Sequence, residues 1–173
     1  RLLWAWCQAA AQLTFLDLHS VDLPQLASNA SSSTPSVFPA LSELYVWDPV
    51  EPLSTSALGC CKSVKVLRLD LAKLSRAGWH VFASLTNLES LNLQYCSPPF
   101  GFVPEPRSPS LNGLTALTSL TMETSAFHPA VAQLPALREV ELTKADWRQD
   151  AGWELPAGPW LQNLERLSLT GCR

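Results

Sequence analysis

Apolar residues recur along this chain with one fixed spacing. The clearest copy places Leu85, Leu88, Leu91 and Leu93 at intervals of three, three and two residues, with Cys96 three residues later. Seven copies align on their third apolar residue, and these anchors are Leu16, Leu44, Leu67, Leu91, Leu120, Val140 and Leu167. The anchors are on average about 25 residues apart, and a period of that length predicts a stack of similar units, each contacting its neighbours.

The end of each copy predicts a short β-strand. Leu91 and Leu93 alternate with Ser90, Asn92 and Gln94, as expected for a strand that buries one face. A single strand of this kind cannot bury its own leucines, whereas stacking on the next repeat buries them and pairs the backbone. We therefore expect the leucines to share one core and the polar residues to line the other face of a parallel sheet.

The spacing L-x-x-L-x-x-L-x-L-x-x-C resembles the leucine-rich repeat of the Cys-containing type. The resemblance implies an α/β solenoid: a curved right-handed stack of about seven repeats, with a parallel β-sheet on the concave face. The convex side is expected to be mostly irregular, with one or two short helices. Residues 13–173 form the repeat domain and residues 1–12 an N-terminal flank or the end of a preceding module. Because no polar cap follows the last copy, we expect the native protein to continue beyond both ends.

The resemblance also makes an expectation about the turns. In leucine-rich repeats the last consensus position carries Asn or Cys, which satisfies backbone groups of the loop. The occupants here are Val21, Pro49, Ala72, Cys96, Ser125, Ala145 and Cys172. Because Asn is missing and only two are Cys, we expect less uniform turns in which water or backbone groups satisfy the loop.

The segments between the copies differ in composition. Residues 22–37 are a Ser-rich insertion in which Asn29 opens an N-glycosylation acceptor, relevant only to a secreted chain. Residues 70–84 are the best candidate for a convex helix. Residues 97–113 hold five prolines, which predicts an extended loop. Trp160 immediately precedes the last copy and is expected to pack into the core.

The outward positions of the seven strands are the candidate binding surface, because partners of leucine-rich repeats usually bind there. We call these positions the concave face. The candidate partner-binding residues on it are Phe15, Asp17, His19, Tyr45, Trp47, Arg68, Asp70, Asn92, Gln94, Glu123 and Glu141.

Two features of this face suggest how a partner is held. Aromatic side chains, which dominate interface energetics, cluster in the first two repeats. They are alternatively covered by a missing N-terminal region or tolerated on the sheet. Further along, Glu123, Glu139 and Glu141 face outward from adjacent repeats and would steer a basic partner, although an ordinary solvated face explains them as well.

Composition excludes several function classes. The net charge of −3 over 173 residues and the absence of a Lys/Arg cluster argue against nucleic-acid binding. No apolar run is long enough for a membrane span. The three histidines fall in different repeats, and the sequence contains no phosphate loop, nucleophile elbow or metal-binding spacing. We therefore expect a non-catalytic protein without cofactor or metal that binds a protein partner.

The first residues suggest a more specific function. An Ala-rich segment with Trp6 and Cys7 directly before the first repeat resembles the end of an F-box, which binds the adaptor of some ubiquitin ligases. A capping turn is the alternative for this segment. Three functions therefore remain open: a general interaction scaffold, the substrate-recognition arm of a ubiquitin ligase, and the ligand-sensing region of a receptor or immune protein. Five cysteines without a C-x-x-C spacing, predicted as buried thiols, favour the cytoplasm or nucleus.

Overall fold

The computed structural model describes residues 12–20, 38–48, 61–70, 82, 84–94, 111, 113–123, 129–143 and 157–170. Seven strands of five residues each form one parallel sheet in chain order. They are β1 (Phe15–His19), β2 (Glu43–Trp47), β3 (Val66–Asp70), β4 (Ser90–Gln94), β5 (Ser119–Glu123), β6 (Glu139–Thr143) and β7 (Arg166–Thr170). The predicted solenoid of about seven repeats is thereby confirmed.

The register of the sheet follows the sequence repeat without a slip. Leu44 of β2 pairs with Leu67 of β3, and Leu67 pairs with Leu91 of β4. The same anchor-to-anchor pairing holds at the other four junctions. Because side chains alternate with period two, this register puts every anchor on one side of the sheet.

The shared core lies on that side. Both inward residues of each strand from β2 to β6 are buried, as are the apolar residues of the preceding turns, such as Leu41, Val64 and Leu88. Cys61 is buried in the same core, as predicted for the cysteines; the other four lie outside the described residues. Burial against the neighbouring repeat is what makes each short strand stable.

The two outer strands are less well covered. Leu16 and Leu18 of β1 are half-buried and pack against the core. Leu167 and Leu169 of β7, predicted to be core residues, are 37% and 45% exposed. The physical reason is that β7 pairs on one side only within the described sheet, so no further repeat covers its leucines.

Two short helical segments lie among the described residues. They are a 3₁₀ turn at Pro129–Gln133 and the helix α1 at Trp160–Asn163. Trp160 is fully buried, as predicted, whereas Leu161 is 44% exposed and so corrects the expectation that it enters the core. The larger indole takes the inward position, and the helix turns the next side chain outward.

The turns before the strands are tied to the preceding repeat by a recurring backbone pattern. The N–H groups of Lys65 and Val66 both donate to the carbonyl of Ser42, at 2.8 and 2.9 Å. The equivalent pair of donors shares one carbonyl at all six junctions. These bonds continue the sheet ladder into the turn, so the turn and strand of each repeat are fixed together.

Side chains reinforce three of these junctions. Ser63 donates to the carbonyls of Phe38 and Leu41, at 3.1 and 3.0 Å. Asn87 donates to the carbonyl of Lys62 at 3.0 Å, and Asn163 does the same in the last repeat. The donors stand four residues before the anchor, a position that the sequence pattern did not single out. The last consensus positions, for which no regular ladder was expected, lie outside the described residues.

Several other predicted features fall outside the described residues as well. They are the N-terminal flank with Trp6 and Cys7, the Ser-rich insertion with Asn29 and nearly all of the proline-rich segment. Of the predicted convex helix, the structure describes residues 70, 82 and 84, and Phe82 is helical and fully buried.

Candidate functional site on the concave face

A line of stacked side chains crosses the first four strands on the concave face. The His19 ring lies parallel to the Trp47 indole, with 5.6 Å between ring centres and 7° between planes. The guanidinium carbon of Arg68 lies 4.5 Å from the centre of the same indole. Because β1 and β3 flank β2, these two groups cover opposite faces of the indole. Arg68 Nη2 then donates to Gln94 Oε1 at 3.1 Å. We call these four residues the Trp47 row.

Asp17 orients this row from below. The indole Nε1–H of Trp47 donates to Asp17 Oδ1 at 2.8 Å. His19 Nε2 lies 3.4 Å from the same oxygen. A hydrogen-bonded indole clamped on both faces has little rotational freedom, so Trp47 is presented in one fixed orientation.

A second aromatic pair lies beside the row. The rings of Phe15 and Tyr45 meet edge to face, with centres 5.0 Å apart and planes at 82°. The Tyr45 hydroxyl donates to Glu43 Oε2 at 3.4 Å. Phe15 is 45% exposed, although it is a large apolar side chain. The aromatic cluster predicted for the first two repeats is thus a contiguous and partly exposed surface.

Three polar atoms next to the Trp47 row are buried without a hydrogen-bond partner. They are Arg68 Nε, Asp70 Oδ1 and Asn92 Oδ1. Arg68 and Asn92 are register partners on β3 and β4, and Asp70 follows Arg68 two residues along the same strand face. Unpartnered buried polar atoms are uncommon and each costs stability.

The burial of Asp70 corrects the expectation of a solvent-facing carboxylate, because Asp70 is only 7% exposed. Its register neighbours on either side are Trp47 and Gln94. Arg68 contacts both of them, so its side chain extends over Asp70. No ion pair joins Arg68 to Asp70 among the contacts of these two described residues.

Charge on the concave face is unevenly divided. Its 21 positions carry six carboxylates against two arginines, which leaves −4 with His19 neutral. Arg166 lies 3.5 Å from Glu139 and offsets one carboxylate. Glu141 is exposed, and no described residue pairs with it. The face is therefore aromatic over β1 and β2 and acidic over β5 and β6.

The structure brings most of the predicted site residues together but not all. Phe15, Asp17, His19, Tyr45, Trp47, Arg68 and Gln94 make the aromatic and polar contacts described above. Glu123 and Glu141 lie on β5 and β6, at least three strand spacings from Trp47, or about 14 Å. Glu43 was missed as a candidate; its position two residues before Tyr45 on the same strand face is the signal that places it there.

No family model matches the sequence, and comparison with curated proteins and with solved structures found no match either. Within the described ranges, no group of three or more His, Cys, Asp or Glu residues is arranged to hold a metal ion. Nor does any helix in that part of the chain have the length and apolar character to cross a membrane.

Proposed function

We propose that this chain is a non-catalytic scaffold that recognises a protein partner through the concave face. The observation that carries the proposal is the Trp47 row: an indole held on both faces and by its N–H, on the open side of a rigid sheet. Trp, Tyr and Arg are the side chains most often responsible for binding energy at protein interfaces. Their arrangement before binding reduces the entropy that a partner loses on binding.

The repeat pattern supports a family assignment within this proposal. We infer that the repeats are leucine-rich repeats of the Cys-containing type, because the spacing of apolar positions matches that consensus in seven copies. The F-box-like residues Trp6 and Cys7 support a narrower version, in which the chain is the substrate-recognition arm of a ubiquitin ligase.

Affinity capture with the full chain as bait tests the proposal. The wild type is compared with Tyr45→Ala/Trp47→Ala, which removes two aromatic contacts from the concave face. Leu161→Ala is the matched control, because it shortens an exposed apolar side chain outside the strands. We expect a protein that wild type and control capture equally and the double variant captures at least about tenfold less, a loss typical of interface anchors.

Equal capture by all three baits would contradict the proposed site. Thermal unfolding of each bait excludes the possibility that the double variant simply fails to fold. Capture of a ubiquitin-ligase adaptor by all three baits, together with a further protein that depends on Tyr45 and Trp47, would support the narrower version. The capture of that further protein without any adaptor would support the general scaffold alone.

A further inference from the structure

The central part of the concave face has an unmet hydrogen-bonding requirement. Asp70 is 7% exposed, and its Oδ1 has no hydrogen-bond partner. Asn92 Oδ1, on the neighbouring strand, is also buried and unpartnered. Both atoms are acceptors, and one of them belongs to a carboxylate. A group that satisfies both must therefore carry several N–H donors, and a positive charge on it would balance the charge of Asp70.

The charge of the surrounding face selects for the same chemistry. The six carboxylates on the concave face outnumber its two arginines, and the exposed Glu141 has no partner among the described residues. A field of one sign attracts oppositely charged partners and raises their association rate. A basic segment is therefore favoured over an acidic one before any close contact forms.

The one cation near Asp70 in the described chain is held elsewhere. Arg68 stacks on Trp47, and its Nη2 is bonded to Gln94. Its Nε is buried without a partner, and it forms no ion pair with Asp70. A partner cation reaches Asp70 once the Arg68 side chain swings aside, and this movement breaks a single hydrogen bond between side chains.

From these three observations we propose that the protein partner inserts a Lys or Arg side chain against Asp70 and Asn92 at the centre of the concave face. Arg68 covers this position in the free protein and moves when the partner binds. The proposal rests on the proposed function, since it specifies the chemistry of the partner that the concave face recognises.

Calorimetric titration of the full chain with a hexa-arginine peptide tests this chemistry, with hexa-glutamate as the negative control. Two matched pairs of variants separate a local site from general attraction. Asp70→Asn and Glu141→Gln each remove one negative charge from the concave face, and Arg68→Gln and Arg166→Gln each remove one positive charge. Attraction by the overall field predicts equal effects within each pair.

A local site predicts unequal effects. We expect Asp70→Asn to weaken hexa-arginine binding at least about tenfold and Glu141→Gln to weaken it less than about threefold, because only Asp70 contacts the inserted cation. We expect Arg68→Gln to strengthen binding more than Arg166→Gln. Absence of hexa-arginine binding, or equal effects within both pairs, would overturn the proposal. If Asp70→Asn does not fold, the arginine pair still decides the question.

The two levels of inference fail in different ways. If Tyr45→Ala/Trp47→Ala abolishes capture of a protein while hexa-arginine binds independently of Asp70, the concave face binds a partner of another chemistry. If the aromatic variants capture the same proteins as the wild type and hexa-arginine does not bind, both proposals are wrong.

Discussion

The indole N–H of Trp47 donates to the Asp17 carboxylate over 2.8 Å, which joins two residues that are 30 positions apart in the sequence. The bond crosses from β1 to β2 on the concave face. It fixes the one aromatic side chain that touches both a histidine and an arginine. The orientation of Trp47 therefore depends on a residue in a different repeat.

This dependence predicts the effect of removing Asp17. Asp17→Ala should reduce capture of the partner severalfold while lowering the free energy of unfolding by only about 1 kcal/mol, because the bond is exposed to solvent. Trp47→Phe, which retains an aromatic ring but loses the N–H, should reduce capture to a similar extent. Affinity capture and urea denaturation measure the two quantities. Unchanged capture by both variants would show that the bond does not position Trp47 for binding.

A second prediction concerns the last repeat. Trp160 is fully buried and its neighbour Leu161 is 44% exposed. Trp160→Ala should therefore lower the free energy of unfolding by about 3–5 kcal/mol, whereas Leu161→Ala should lower it by less than about 1 kcal/mol. Urea denaturation of both variants tests the difference. Equal losses would mean that the two side chains share the core position.

Gly158 gives a third prediction, based on lack of space. A Cβ atom built on Gly158 lies 2.2 Å from the carbonyl oxygen of Ala132, which belongs to the 3₁₀ turn of the preceding repeat. Gly158→Ala should therefore push α1 away from that turn and cost about 1–3 kcal/mol. Thermal unfolding measures the loss, with Ala157→Ser at the adjacent exposed position as the control. A melting temperature equal to that of the control would show that the turn yields without strain.

A fourth prediction separates visible contacts from useful ones. Lys65 Nζ lies 2.8 Å from Glu89 Oε1, but both side chains are about half exposed, at 55% and 51%. A double-mutant cycle with Lys65→Ala and Glu89→Ala should give a coupling energy below about 1 kcal/mol, because water screens the pair. High salt should reduce it further. A coupling above about 2 kcal/mol that persists in salt would contradict this reading.

The sequence predicted the sheet in detail because the two periods in it are strict. The short period decides which side chains face the core, and the long period decides which residues become neighbours in adjacent strands. Leu44, Leu67 and Leu91 are therefore paired as their spacing indicates. The prediction failed at Leu161 because Trp160 and Leu161 are both apolar and adjacent, and the pattern alone does not decide which one turns inward.

The candidate site was predicted in position but not in its contacts. Outward positions such as Trp47, Arg68 and Asp70 follow from the alternation along each strand. How Arg68 extends over Asp70 depends on side-chain rotamers and on the indole beside it, and none of these is encoded in a spacing rule. A carboxylate on an outward position is expected to be solvated, so its burial was visible only in the structure.

Each described strand pairs only with the strands of the repeats next to it along the chain. Mechanical force applied at the two outer strands therefore acts on the junctions in series, and the chain extends as soon as the weakest junction yields. In an optical trap, each repeat that detaches should release about 25 residues, or roughly 90 Å of contour length. A partner that spans β2 to β6 would bridge several junctions at once, so the same stretch should then detach in one larger step.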